Sequence, residues 1–321
     1  MATLVTGAAG FIGSHLTERL AAEGRRVVCL DDFNNYYSPE IKRGNLSAAL
    51  KRPNVQLYEG DIRDAGLCER VFKRESIGQV VHLAARAGVR PSLKEPLLYE
   101  DVNCRGTLVL LELARQHHVR KFVFGSSSSV YGNSRRIPFN EDDPVSEPIS
   151  PYAATKRAGE LYCYNYHHLY GLPIVCLRFF TVYGPRQRPD MAIHKFTRWI
   201  DEGRPVEMFG DGSMKRDYTF YSDIVDGVVA ALDAKMDFEI VNLGDSRVVE
   251  LRQLIGLIER ALGKSAEIQQ LPEQPGDVKI TYADISKATR LLGYKPKFPI
   301  EKGVELFVEW YRTNCGPCKG K

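Results

Sequence analysis

Apolar positions along this chain gather in short blocks, and the blocks alternate between two spacings. Residues 1–5, 26–30, 55–58, 80–84, 121–124 and 174–179 are compact runs rich in Val, Ile, Leu and Phe, which predict buried strands. Between them the apolar residues fall three or four apart. Leu16 and Leu20 share one face of the stretch 14–22, and residues 67–74, 99–117 and 152–170 read as further helices. Strand–helix alternation predicts an α/β fold, a doubly wound parallel sheet with helices on both faces. The pattern changes near residue 180. Gly- and Pro-rich loops follow at 184–189, 210–213 and 274–277, with helices at 251–262 and 304–311. The expected division is a larger domain over 1–180, with some later segments folding back onto it, and a smaller C-terminal α/β domain over 181–312. A crevice between them would lie at the carboxyl ends of the strands.

Between the first strand and the first helix stands Thr6-Gly7-Ala8-Ala9-Gly10-Phe11-Ile12-Gly13. Glycines let the backbone turn tightly and approach a ligand closely, and the helix start offers unpaired N–H groups and a positive dipole. Gly7, Gly10, Phe11, Ile12 and Gly13 therefore form a candidate pyrophosphate seat, with the spacing GxxGxxG in place of the commoner GxGxxG. The second strand ends in Asp31-Asp32, and Asp31 lies 18 residues beyond Gly13. A carboxylate there accepts hydrogen bonds from the adenosine ribose hydroxyls and repels a 2′-phosphate, which favours NAD over NADP. The alternative is that Asp31 caps its loop, a role that suits Asp32 better.

Composition narrows the setting. The chain has 321 residues, 44% hydrophobic and 26% charged, with a net charge of +4 spread along its length. That size supports a large core and two domains. The nearest thing to a basic cluster, residues 42–52, is broken by apolar positions and reads as a solvated face, so no nucleic-acid partner is expected. No apolar run reaches the length of a membrane span, and a strand starting at residue 2 is expected to leave no room for a signal peptide. Seven cysteines, mostly inside apolar segments, suggest reduced thiols and a cytoplasmic location. Cys315 and Cys318 are spaced like a redox motif but follow the last helical pattern, so residues 313–321 read as a tail. His82 reads as packing on its strand, and no histidine spacing suggests a metal.

The strand at 121–124 runs into Gly125-Ser126-Ser127-Ser128-Ser129-Val130-Tyr131-Gly132. Further on comes Ser150-Pro151-Tyr152-Ala153-Ala154-Thr155-Lys156. Tyr152 and Lys156, four apart, share a helix face, and Pro151 suits the first turn. A free phenol, with a pKa of roughly 10, is too weak an acid to serve as a base at neutral pH. An adjacent ammonium and a positive nicotinamide ring would favour the phenolate, and a hydroxyl from the serine run would share the proton. Each piece alone arises by chance; their order along one chain does not readily do so.

With these residues the sequence resembles the extended short-chain dehydrogenase/reductase family, specifically its nucleotide-sugar epimerases, over residues 1–312. Its marks are residues 6–13, Asp31, Gly60-Asp61-Ile62, His82-Leu83-Ala84-Ala85, Asn103, residues 127–132, Tyr152 with Lys156, and Arg178-Phe179-Phe180. The resemblance implies a Rossmann-type NAD-binding domain. In it Asn35, Asp61 and Ile62 lie beside the cofactor, Leu83, Ala84 and Ala85 line its trough, and Asn103 supports the catalytic helix. It selects Ser127, five residues before Gly132, as the catalytic hydroxyl, with Tyr152 as base and Lys156 on the nicotinamide ribose. Relatives that eliminate water carry an Asp-Glu pair after that hydroxyl, and those that release CO2 usually a Glu at the second position. Ser128 and Ser129 stand there instead, which leaves inversion at C4 through a transient 4-keto sugar.

The C-terminal half is most similar to the uronate 4-epimerases, through residues 181–185, Arg188-Pro189-Asp190-Met191, residues 214–218 and Gln274-Pro275-Gly276-Asp277. The resemblance places Arg216 and Asp277 on the nucleotide. Ser128, Ser129 and Thr181 are expected to hold a substrate carboxylate by hydrogen bonding, with Arg188 aiding substrate placement; the alternative is that Thr181 and Arg188 make loop or core contacts. Pro185-Arg186-Gln187-Arg188 departs from the family's Pro-Trp-Gly-Arg, which leaves Arg186 without an assigned role. The implied reaction is conversion of UDP-glucuronate to UDP-galacturonate. UDP-glucose and UDP-N-acetylglucosamine are the alternatives within the class, and a catalytically silent NAD-binding regulator is the alternative outside it. A homodimer through a four-helix bundle of residues 99–117 and 152–170 is implied too, although apolar helix faces could equally pack inward.

Overall fold

The computed structural model describes residues 1–272 and 278–315. In chain order its strands are β1 Ala2–Thr6, β2 Val27–Asp31, β3 Val55–Glu59, β4 Ile77–His82, β5 Lys121–Ser127, β6 Ile174–Phe179, β7 Thr181–Tyr183, β8 Val206–Phe209, β9 Lys215–Phe220, β10 Phe238–Leu243, β11 Val248–Glu250 and β12 Ile268–Leu271. Seven of them form one sheet, ordered β10-β6-β5-β4-β1-β2-β3, with every neighbouring pair parallel. Every residue of β1, β2 and β5 is buried, as expected for strands covered on both faces. The strand order reverses at β1, which lies between β2 and β4. In a doubly wound sheet this switch point opens a crevice at the carboxyl ends of the strands.

Two apolar clusters cover the sheet. One packs Leu16 and Leu20 of the helix Phe11–Ala22 with Val228 and Leu232 of the helix Tyr221–Asp233. The other packs Phe72, Leu110, Leu111 and Cys163 against Phe122 and Phe124. A third core, around Phe196, Trp199, Leu254, Ile258 and Phe307, lies among the helices Ala192–Asp201, Leu251–Leu262 and Ile300–Asn314. Small sheets β11-β9-β7 and β12-β8 accompany it. β10 arrives late in the chain yet pairs with β6 on the main sheet, Phe238 opposite Ile174 and Leu243 opposite Phe179.

Two elements differ from the sequence reading in ways that shape the site. β4 ends at His82 instead of reaching Ala84. Leu83 N–H donates to the Thr6 carbonyl and Ala84 N–H to the Thr6 hydroxyl, so this segment leaves the sheet and runs across the glycine turn. Gly7 has φ +67°, and a Cβ there would stand 2.7 Å from Ala84 N, so only glycine lets the two segments meet. The single helix expected over 99–117 is three pieces. An α-helical turn, Pro96–Glu100, passes into a π-helical turn, Asp101–Arg105, before α-helix resumes at Gly106–Gln116. A Cβ on Gly106 would stand 2.4 Å from Ile62 Cδ1, so helix and cofactor-side loop are in close contact.

Among the described residues five cysteines are buried with free thiols, and Cys315 is exposed. Cys318 lies outside the described residues. No helix among them is long and apolar enough to cross a membrane.

Candidate active site

One cavity of about 390 Å³ opens above the switch point, in the size range of pockets that hold small molecules. Gly7, Gly10, Phe11, Ile12 and Gly13 form its floor. Among the described residues no side chain caps the helix that begins at Phe11, and its first turn holds no acidic residue, so its free N–H groups face an anion seat. A Cβ on Gly10 would meet only the Gly7 carbonyl, at 3.1 Å, and would otherwise intrude into the cavity. These features fit a dinucleotide pyrophosphate.

Asp31 ends β2 at one side of the cavity. Its carboxylate accepts hydrogen bonds from Ala9 N–H and Phe33 N–H, each at 2.9 Å, and thereby pins the glycine turn. Burial raises its pKa, against the pull of those two donors and of Lys42. Asp61 and Ile62 line the same side, with Asp61 held by Arg63 at 2.6 Å. Leu83, Ala84 and Ala85 form the opposite wall. Asn35 is exposed and is not among the cavity residues, whereas Asn34, Tyr36, Tyr37 and Lys42 are. The sequence reading missed these four. Lys42 Nζ donates to the Asn34 carbonyl at 2.7 Å and lies 4.8 Å from the Tyr37 ring. The buried Tyr37 hydroxyl has no partner among the described residues, which suits a ligand donor or acceptor at this end. The available signal was the tyrosine pair just after the Asp31 loop. Lys42 was hidden in what read as a solvated face.

Asn103 stands behind the wall. Its amide accepts from Arg86 N–H at 2.8 Å and donates to the Arg86 carbonyl and the Thr155 hydroxyl, each at 3.0 Å.

Serine loop and catalytic helix meet at the other end. Ser150 accepts from Ala153 N–H and Pro151 occupies the first turn, which starts the helix Pro151–Tyr170 and brings Tyr152 and Lys156 onto the cavity. Ser127, Ser128 and Ser129 line it too. Ser127 Oγ donates to Ser129 Oγ at 3.2 Å. Lys156 has a backbone partner that its spacing from Tyr152 did not name. Its Nζ donates to the Gly125 carbonyl at 2.6 Å, and burial pulls its pKa down to about 8. Tyr152 is not depressed in the free protein. Burial raises its pKa, against smaller pulls from the Ser127 hydroxyl and the Arg188 charge. The ammonium is engaged at the carbonyl end of β5, so the phenol needs a further positive charge to ionise.

Arg188 and Thr181 reach the cavity from the C-terminal half. Arg188 makes two 3.0 Å hydrogen bonds to Asp190. Arg186, with φ +65°, pairs with Glu18 at 2.8 Å and so ties this loop to the first helix. Arg216 is not among the cavity residues; its guanidinium donates to the Lys215 carbonyl at 2.9 Å. Asp277 and Gln274 lie outside the described residues.

Beneath the serine loop lies a buried pair. Arg178 donates to Glu160 at 2.8 and 2.9 Å, and Ser126 Oγ donates to Glu160 at 2.6 Å. Arg178 also donates to the Tyr131 hydroxyl at 2.9 Å. Burial pushes the Glu160 carboxyl up, and Arg178, Ser126 and Arg157 together push it further down, below the usual carboxylate range.

A parallel sheet with a glycine turn at its switch point, carrying a phenol, an ammonium and a hydroxyl over one cavity, defines a dinucleotide-dependent enzyme of carbinol chemistry. The chain belongs to the NAD dependent epimerase/dehydratase family, whose sequence model matches residues 3–244. It is similar to the UDP-glucuronate 4-epimerase of Thermodesulfobacterium geofontis, 46% identical over 312 residues, spanning 97% of this chain and 96% of that protein. Among solved structures it resembles the UDP-glucuronic acid 4-epimerase from Bacillus cereus in complex with UDP-glucuronic acid and NAD. The identity is 39% and the TM-score 0.92, over 98% of this chain and 99% of that one. The UDP-glucose 4-epimerase from Thermotoga maritima with UDP-glucose gives 35% and 0.90, also over 98% and 99%.

Proposed function

We propose that this protein is an NAD-dependent UDP-sugar 4-epimerase and that UDP-glucuronate, converted to UDP-galacturonate, is the substrate it serves best. Full-length similarity to enzymes of that name supports the class. The observation carrying the substrate is the set Ser128, Ser129, Thr181 and Arg188, three hydroxyls and a guanidinium on the cavity that also holds Tyr152.

Bound NAD⁺ supplies the hydride acceptor and donor, and its positive ring favours the Tyr152 phenolate. Tyr152 removes the proton from the sugar 4-hydroxyl and later returns one. Ser127 shares that proton and steadies the oxygen, and Lys156 holds the nicotinamide ribose. The glycine turn holds the pyrophosphate, and Asp31 the adenosine ribose. Arg216 and Asp277 serve the UDP moiety. A 4-keto uronate is a β-keto acid and loses CO2 when its carboxylate bond aligns with the carbonyl π system. Ser128, Ser129 and Thr181 hold the carboxylate out of that alignment, with Arg188 placing the substrate.

Incubation with UDP-glucuronate, UDP-glucose and UDP-N-acetylglucosamine separately, followed by product resolution, is expected to give the fastest inversion with the uronate. Faster inversion of UDP-glucose would assign the glucose/galactose reaction instead, and no turnover of any of the three would favour a regulatory NAD-binding protein. Thr181→Ala removes one hydrogen bond, about 1 kcal/mol. It is expected to lower kcat/KM for UDP-glucuronate by about fivefold and raise CO2 release, with UDP-glucose unaffected. No change in either quantity excludes the carboxylate clamp.

The reading extends to the assembly and its setting. The larger unit is residues 1–180 with 221–243 folded back on it, and the smaller unit covers the substrate. A homodimer through the helices at 96–116 and 151–170 is supported by exposed Leu161, Tyr164, Leu169 and Tyr170 on the second of them. Light scattering is expected to give twice the chain mass of 36.2 kDa. The free cysteines accord with a cytoplasmic setting.

A further inference from the structure

Under the cavity, at the end of β4, lies His82, 1% exposed and flanked by the rings of Phe122 and Phe124. Its Nδ1 is 2.7 Å from the Thr6 hydroxyl and its Nε2 is 3.0 Å from the Thr107 hydroxyl. The neighbours fix the direction of both bonds. Thr107 Oγ1 lies 2.5 Å from the Asn103 carbonyl, which only accepts, so the Thr107 proton is committed there. Thr107 therefore accepts from His82, and Nε2 carries the hydrogen. Nδ1 of a neutral ring then accepts from the Thr6 hydroxyl, whose oxygen in turn accepts from Ala84 N–H at 3.3 Å. Every polar atom of this buried chain is satisfied with one tautomer. Burial drives the imidazole down to about 3, and the Lys156 ammonium adds to the cost of a second proton on the ring.

The two ends of the chain are functional. Thr6 immediately precedes Gly7 of the pyrophosphate seat. Asn103, in the π-helical turn, clamps the Arg86 backbone and donates to the Thr155 hydroxyl at 3.0 Å, which donates to the Tyr152 carbonyl at 2.9 Å. One unbroken series of hydrogen bonds thus connects the glycine turn, the cavity wall and the first turn of the catalytic helix. Packing alone would require only an aromatic ring at this position; the two aligned hydroxyls require a group that accepts on one side and donates on the other. We propose that His82 is a positioning residue that holds the glycine turn and the Tyr152 helix at one fixed spacing through the Thr6–His82–Thr107–Asn103 chain.

The test compares His82→Phe with His82→Gln. Phenylalanine fills the space and breaks both bonds. Glutamine has a carbonyl for Thr6 and an amide for Thr107. His82→Phe is expected to weaken NAD⁺ binding about tenfold and to lower kcat by tenfold or more, with KM for the UDP-sugar unchanged. His82→Gln is expected to restore both to within about threefold. Equal activity of wild type and His82→Phe, or equal impairment in both variants, overturns the proposal and leaves a packing residue. Should His82→Phe fail to fold, ¹⁵N NMR of the histidines in the unmodified protein decides. One ring is expected to keep a neutral Nε2–H tautomer from pH 5 to 9; titration of every histidine ring in that range, or an Nδ1–H at His82, overturns it. The turnover readout rests on the epimerase reading, whereas NAD⁺ affinity and NMR do not, so failure of one is distinguishable from failure of the other.

Discussion

Tyr152→Phe is expected to lower kcat by about a thousandfold or more while leaving NAD⁺ binding within about twofold of wild type. The ring stays where it is, edge-on to Tyr99 at 6.2 Å between centroids, so the cavity keeps its shape. Only the proton acceptor is lost, and a positioned base contributes about 10²–10⁴ in rate. Because burial raises this phenol in the free protein, it is neutral at pH 7 until the positive nicotinamide ring arrives. The sign of the pH dependence follows. Raising the pH converts phenol to phenolate, so kcat/KM climbs on its acid limb and then levels. A phenolate absorbance titration near 295 nm should move to lower pH when NAD⁺ is added, and the moving component should vanish in Tyr152→Phe. Near-normal turnover in that variant would remove Tyr152 from the role of base.

The second large effect is on stability. Arg178→Met leaves Glu160 buried beneath the serine loop without its main partner. Breaking a buried ion pair on one side costs about 3–5 kcal/mol, because a charge remains in a place that cannot solvate it. For a chain of this size that lowers Tm by roughly 4–7 °C. Left with Arg157 and Ser126 alone against its burial, the carboxyl is expected to rise above the value of roughly 4.3 it has in the unfolded chain, so the folded variant binds the extra proton. The deficit relative to wild type therefore shrinks as the pH falls toward 5. Replacing both members, Arg178→Met with Glu160→Gln, should recover much of the loss. Calorimetry of the two variants at pH 8 and pH 5 checks all three statements, and equal Tm values for Arg178→Met and wild type would show that the pair contributes nothing.

The parts of the site read from the chain were those written in short patterns. A strand, a glycine turn and a helix fix Gly7 to Gly13 locally. An acid at a strand tip marks Asp31, and a four-residue interval puts Tyr152 and Lys156 on one face. What escaped depends on contacts between distant segments. Glu160 is one turn beyond Lys156 and looks like any helical glutamate until Arg178, on β6, closes over it. His82 read as packing because its partners, Thr6 and Thr107, are 76 and 25 residues away. The π-helical turn leaves no mark in the apolar spacing. The partner of Lys156 escaped as well, because spacing places it on the same face as the phenol but does not show its ammonium donating to the Gly125 carbonyl.

The late arrival of β10 constrains how the chain assembles. Its inner neighbour β6 is complete at Phe179, yet the backbone groups on the free side of β6 find their partners only when Phe238–Leu243 has emerged. A ribosome-bound nascent chain therefore carries an unsatisfied sheet edge through some sixty residues of synthesis, the kind of edge that templates association between chains. Fragments cut after the last catalytic side chain should aggregate before they can bind anything, and shielding by chaperones matters most in that interval.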